Sequence, residues 1–155
     1  MVMKPLYPVF SLAMIGVVPP TAAQWNSDPM VNTPISVFAE DQSDPRIISD
    51  GAGGAIIAWS DTRPASNGRG VFAQRINANG EPLWTTNGVP VVTQPFGQKI
   101  LEDIVSDGNG GAIVVYLMYD GLGNHDIYAQ RFDATGQLLW NTAGMPVCTN
   151  IYPQL

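Results

Sequence analysis

One cysteine, Cys148, and one histidine, His125, are all that 155 residues hold of two side chains on which metal sites and nucleophilic chemistry often depend. A lone Cys excludes an intrachain disulfide. With no second thiol and no basic neighbour to lower its pKa, Cys148 is expected as a small buried apolar residue. Zinc-type ligation needs several His or Cys side chains together, and the chain has no such cluster. His125 precedes Asp126, but adjacency in sequence is not the geometry of a catalytic triad. It is expected as a solvated residue of a polar loop. Basic residues are also few: Lys and Arg number 7 against 13 Asp and Glu, a net charge of −6. No basic cluster is present, which excludes nucleic acid as a partner. Charged residues make up only 13% of the chain, about half of the ordinary ~25%. That balance suits a folded β-rich protein.

Long apolar runs are absent except at the start. Leu6 to Val18 is apolar, Lys4 precedes it, and Pro19-Pro20-Thr21-Ala22-Ala23 closes it with small residues. The run falls short of the ~20 residues that a membrane-spanning helix needs. A positive start, a short apolar centre and a small-x-small end predict a secretory signal peptide over 1–23, cut after Ala23. An uncleaved N-terminal anchor is the alternative. Cleavage would place the protein outside the cell, at its surface or in a periplasm, with no membrane segment left.

Glycine and proline are plentiful, at 16 and 13 residues, and most punctuate short apolar runs. The punctuation recurs. Asp126 to Trp140 repeats Gly70 to Trp84 at an offset of 56, and Ser106 to Tyr116 repeats Ser49 to Trp59 at an offset of 57. The slip of one residue falls in a polar loop, where insertions are tolerated. After a lead-in at 24–31, the first repeat occupies 32–88 and the second 89–144. Residues 145–155 begin a third, in which Pro146-Val147-Cys148-Thr149 matches Pro90-Val91-Val92-Thr93. The chain is expected to be a fragment or a truncated product.

Runs of strand length lie at Pro34–Phe38, Arg46–Ser49, Ala55–Trp59, Val71–Ile76 and Pro82–Trp84. The fold class is therefore all-β, with one four-stranded antiparallel sheet per repeat and no helix beyond the signal segment. One such sheet cannot bury both of its faces, so neighbours must stack. Radial stacking makes the sheets blades of a β-propeller, here an incomplete one. The period exceeds the ~40–50 residues of common propeller repeats, and the Asp61–Arg69 and Tyr119–His125 loops hold the excess.

The succession Asp-Gly-x-Gly-Gly (from Asp50 and Asp107), Ala-Gln-Arg (ending at Arg75 and Arg131), Gly-x-x-Leu-Trp (ending at Trp84 and Trp140) and Gly-x-Pro-Val (from Gly88 and Gly144) resembles repeats of secreted bacterial β-propeller-like proteins. Many of those carry a C-terminal sorting domain for the cell surface. The likeness covers Asn32 to Leu155. It implies a propeller and an exported location, and it names no activity. Asp133-Ala134-Thr135-Gly136 with Trp140 also resembles the docking motif of quinoprotein propellers, one residue shorter in spacing. That likeness implies a Trp packed between blades, without the quinone cofactor.

Asp50 and Asp107 open Gly-rich turns. Asp107-x-Asn109 lacks the further ligands and distant Glu of a calcium loop, so both acids are expected to cap their turns. Arg75 and Arg131 stand in repeat phase, as do Trp84 and Trp140. Repetition favours structural work: bonding of turn carbonyls or pairing with an acid on the next sheet by Arg, and burial between sheets or against the hairpin below by Trp. Trp59 is followed by Asp61 and Arg63, whereas the second repeat reads Tyr116-Leu117-Met118-Tyr119-Asp120. An Asp–Arg pair at the strand end is thus expected only in the first repeat. No catalytic, metal or cofactor residue is expected, and the chain reads as a secreted non-catalytic module with a structural, adhesive or ligand-presenting role. The alternatives are a piece of a propeller enzyme whose active site lies in other blades, or a carbohydrate-binding surface using Trp59 or Tyr119 in exposed loops. Expected partners are neighbouring repeats of a longer chain or further copies of this one.

Overall fold

The computed structural model describes residues 28, 30–63, 68–92, 97–119 and 121–149. The expected signal segment at 1–23, most of the lead-in, Asp120 and residues 150–155 lie outside the described residues. Among the described residues there are eight strands and no helix. They are β1 (Gln42–Ser49), β2 (Ala55–Asp61), β3 (Gly70–Ile76), β4 (Val89–Pro90), β5 (Gln98–Ser106), β6 (Ala112–Tyr119), β7 (His125–Phe132) and β8 (Met145–Cys148). Two four-stranded sheets result, in the orders β1-β2-β3-β4 and β5-β6-β7-β8. Every pairing is antiparallel.

The β1–β2 and β5–β6 hairpins turn on the Gly-rich segments. Gly51 and Gly53 have φ of 76° and 86°, a region that side-chain-bearing residues avoid. Gly54 is needed for a different reason. A Cβ there would stand 2.1 Å from the Ile76 carbonyl oxygen, and at the matching Gly111 it would stand 2.2 Å from that of Phe132. Pro45, which cannot donate to a ladder, sits where the β1–β2 register shifts, on the edge of its sheet.

Three sequence expectations need correction. Pro34–Phe38 forms no strand. Its amides are met by side chains instead: Val37 N donates to Asn87 Oδ1 at 2.8 Å and Phe38 N to Ser36 Oγ at 3.4 Å. Pro82–Trp84 contributes only one isolated bridge, Ile76 to Pro82. The fourth strand of the first sheet is β4, which lies past the expected repeat boundary at 88 and pairs with β3. His125 is likewise part of β7, stacked on Tyr119, and not a solvated loop residue.

The sheets stack with a polarity that burial reveals. In β2, Ile56 and Ala58 are fully buried and Ile57 is half-buried; in β6, the matching Ile113 and Val115 are half-buried and Val114 is buried. Side chains of a strand alternate between its faces. One face of the first sheet therefore packs on the opposite face of the second. The shared core joins Ile56, Ala58, Val71 and Ala73 to Leu101, Ile104, Val114, Tyr116 and Phe132. Burying a large apolar side chain such as Ile56 or Phe132 contributes about 1.5–3 kcal/mol. The loops and repeat-phase residues are thus held on a common two-sheet frame.

Candidate functional site

The repeat-phase acids and arginines meet in matched pairs. Asp50 Oδ1 accepts from the Ala52 and Gly54 amides, both at 2.8 Å, and closes its turn. Asp50 Oδ2 accepts from Arg75 Nε at 3.0 Å and Nη2 at 2.8 Å. Asp107 does the same, with Asn109 and Gly111 amides on Oδ1 and Arg131 Nε and Nη2 on Oδ2. Both acids are turn caps, as their sequence setting predicts. Burial works against the Asp50 carboxylate, but the Ala52 amide, Arg75 and the Gly54 amide outweigh it and hold its pKa below the ordinary value. At Asp107 the Asn109 amide leads, with Arg131 and Gly111 adding to it, and the result is the same direction. Carboxylates stabilised in this way are weak bases and poor proton acceptors near neutral pH.

The two pairs differ at the seam between repeats. Arg75 Nη1 donates across it to the Ala134 carbonyl at 3.0 Å, and Trp84 Nε1 donates to the same oxygen at 3.1 Å. The Trp84 ring lies edge-on to Phe132 at 5.7 Å and covers Gly136, where a Cβ would come within 3.1 Å of the indole. Trp84 therefore packs between repeats, half-buried. Trp140 is half-buried too, but among the described residues its ring has no aromatic partner and its indole N–H no acceptor. The burial expected for Trp140, between sheets or against the hairpin below, is thus only partial. Among the described residues Arg131 Nη1 makes no hydrogen bond, and the Arg131 side chain is 31% exposed against 16% for Arg75.

Residues around Trp59 form a second constellation. Trp59 is only 4% exposed, on β2 and not in an open loop, so it offers no ring for a surface sugar. Its indole donates to Asp61 Oδ2 at 2.8 Å. Arg63 Nη2 donates to the same oxygen at 2.7 Å and to the Asn87 carbonyl at 2.8 Å. The guanidinium carbon lies 3.7 Å from the Phe72 ring centre and 4.8 Å from that of Phe38. Burial opposes the Asp61 charge, yet Arg63 and the Trp59 indole prevail and lower its pKa. The Asp–Arg pair expected in the first repeat is present. Arg63 Nε is buried against this surface with no acceptor.

Sequence reasoning missed Gln74 and Gln130, both fully buried. Gln74 Nε2 donates to the Thr85 carbonyl, while its Oε1 accepts from the Arg75 and Trp84 amides. Gln130 bonds the Asn141 carbonyl and the Arg131 amide in the same manner. The recurrent Ala-Gln-Arg was the available signal, since a polar residue repeated between apolar ones implies a repeated partner. Lys99 was also missed. It is buried, its Nζ donates to the Gly97 carbonyl at 3.0 Å, and burial lowers its pKa. Cys148 is half-buried at the end of β8.

Two clefts open on the first repeat. One of about 360 Å³ lies between Thr33–Ser36 and the Ile57–Trp59 side of β2. The other, about 370 Å³, is bounded by Ile35, Gln74, Trp84 and Asn87. Neither is lined by an ionisable side chain. No group of three or more His, Cys, Asp or Glu able to hold a metal occurs among the described residues. Among them, too, no helix is long and apolar enough to cross a membrane. Comparison with known proteins finds no matching family model, no matching curated protein and no matching solved structure.

Proposed function

We propose that the chain is a secreted, non-catalytic repeat module of the β-propeller-like kind, with a structural, adhesive or ligand-presenting role. One observation carries this reading. The acids and arginines that recur in repeat phase are spent on the same structural bonds twice, at Asp50–Arg75 and at Asp107–Arg131. Catalysis rarely asks for the same residue in every unit, whereas turn closure and unit stacking do. The clefts, lined without ionisable groups, point the same way. The secreted location rests on the Lys4, Leu6–Val18 and Thr21-x-Ala23 pattern. A carbohydrate-binding reading loses Trp59 to burial.

The test is a screen of the exported chain against ester, glycoside and phosphoester chromogenic substrates. The expected result is no turnover above buffer. Turnover abolished by one loop substitution that leaves the fold intact would replace this reading with an enzymatic one.

A further inference from the structure

The seam between repeats has two unlike sides. The trailing side of the first sheet presents Ile56, Ala58, Ser60, Arg75 and Trp84. The leading side of the second presents Ile104, Val114 and the Asp133–Gly136 turn that carries the Ala134 carbonyl. Each side also exists once more, on the outer faces of the pair. The leading side of the first sheet holds Ile47 and Ile57, the repeat equivalents of Ile104 and Val114, with Thr33–Ser36 beside Ile57 as Val91 and Val92 stand in the core at the seam. The trailing side of the second holds Val105, Ile113, Val115, Arg131 and Trp140.

Exposure measures what the seam covers. Ile104, at the seam, is 5% exposed and its equivalent Ile47 is 61% exposed; Val105 on the far side is 53% exposed. The leading turn is preserved as well. Asn77 Oδ1 accepts from the Asn79 and Glu81 amides at 2.9 and 3.0 Å, as Asp133 Oδ1 accepts from Thr135 and Gln137 at 2.8 and 3.0 Å. Gly80 and Gly136 have φ of 82° and 84°. Ala78 therefore sits in its turn as Ala134 does in the other. On the trailing side, Arg131 is held by Asp107 as Arg75 is held by Asp50. The outer faces thus repeat the two halves of an interface that already forms within the chain.

We propose that a second copy of this chain docks its leading face, Ile47, Ile57 and the Asn77–Gly80 turn, on the trailing face of the second sheet, with the Ala78 carbonyl accepting from Arg131 Nη1 and Trp140 Nε1. The contact is heterologous, so copies add head to tail and close into a ring or extend as a filament. The inference rests on the reading of the chain as a repeat module and adds its partner.

The test uses sedimentation velocity of the chain as exported, over a range of concentrations. Ile47→Asp disables only the leading face and Val105→Asp only the trailing face. Both positions are exposed, so neither change disturbs the core, and unchanged circular dichroism verifies it. The wild type is expected to associate as concentration rises, and each variant alone to stay monomeric. Mixed, the variants should form a dimer of one copy each and nothing larger, because each supplies the face that the other lacks. Trp140→Ala should weaken wild-type association about thirtyfold, as loss of a central aromatic anchor does. A wild type that stays monomeric, a variant that still associates by itself, or a mixture that remains monomeric would overturn the proposal. Association lost with Ile47→Asp and kept with Val105→Asp would overturn it too, since that marks leading faces paired with each other. None of these outcomes bears on the substrate screen, which decides the module reading separately.

Discussion

The two repeats solve one local problem with different chemistry. In each, a carbonyl just before the Gly-x-Pro-Val segment must be bonded: Asn87 in the first, Ala143 in the second. The first repeat sends Arg63 from the loop, at 2.8 Å, and anchors it on Asp61, Trp59 and the Phe72 ring. The second uses the Tyr116 hydroxyl at 2.9 Å, donated from within β6. Tyr116 occupies the position of Trp59 and stacks on Tyr128, as Trp59 stacks on Phe72. The following glycine is close-packed in both. A Cβ at Gly88 would stand 2.6 Å from the Trp59 ring, and at Gly144 it would stand 2.3 Å from the Tyr116 hydroxyl. The carbonyl and the glycine are thus the constant features, and the donor is exchangeable. An ion pair does in one repeat what a neutral phenol does in the other.

The largest effect is expected where that exchange is broken on the charged side. Arg63→Met leaves Asp61, whose side chain is wholly buried, without its counter-charge. Breaking one partner of a buried pair costs about 3–5 kcal/mol. Tyr116→Phe removes only a neutral hydrogen bond and should cost about 1 kcal/mol. Urea titration of both variants measures the gap. Equal losses would mean that the Asp61–Arg63 pair adds nothing beyond the carbonyl bond.

The next comparison is between the tryptophans. Trp84→Ala empties the seam beside Phe132 and deletes a donor to Ala134, and should cost about 3 kcal/mol. Trp140→Ala, on an outer face, should cost the monomer about 1 kcal/mol. Denaturant titration at a concentration low enough to exclude association reads both. A loss at Trp140 as large as that at Trp84 would mean that the outer face is covered as the seam is.

How far the residues foretold this arrangement depends on which signal each carried. Ala55–Trp59 and Val71–Ile76 are apolar runs bounded by Gly or polar residues, and their strands formed where expected. The repeat itself foretold that Asp50 and Asp107 work alike and that Arg75 and Arg131 work alike, but each Arg pairs with the acid of its own sheet and not, as expected, of the next. The fourth strand was illegible because β4 spans two residues, Val89–Pro90, too few for any periodicity. Pro34–Phe38 alternates like a strand, but the Asn87 side chain, 50 positions away, takes an amide that a ladder would need. The polarity of the stack could not be read either. Ile56, Ile57 and Ala58 are all apolar, so the pattern does not say which face meets the neighbour. Trp84 and Trp140 look equivalent in sequence because their difference lies in what packs over them.

Acid should loosen both repeats through Asp50 and Asp107. Each has a folded-state pKa below its unfolded value of ~3.9. Their contribution is complete above the unfolded pKa and is lost as pH falls through the folded values. Melting temperature should therefore be flat from neutral pH to about pH 5 and drop below pH 4. Asp50→Asn and Asp107→Asn should each make that acid drop shallower while lowering the plateau. An acid drop unchanged in both variants would show that other carboxylates govern it.

The smallest expected effect isolates the seam bond itself. Arg75 and Arg131 hold their acids alike, through Nε and Nη2, and differ in the Nη1 bond that Arg75 makes to Ala134. Lysine keeps the charge but offers one compact ammonium in place of a planar fork. It can stay with the acid or reach across the seam, but cannot hold both with good geometry. Arg131→Lys loses one of two bonds to Asp107 on a partly exposed pair, where solvent screening keeps the cost small. Arg75→Lys loses that and the bond across the seam, so it should be destabilising by about 1 kcal/mol more, the worth of one hydrogen bond. Adding Trp84→Phe tests the source of the difference, because it removes the second donor to the same oxygen. With both donors gone, the Ala134 carbonyl is left unbonded at the seam, and the double variant should lose more than the sum of the single ones. Strict additivity would mean that Ala134 is not the point at which the two side chains are coupled.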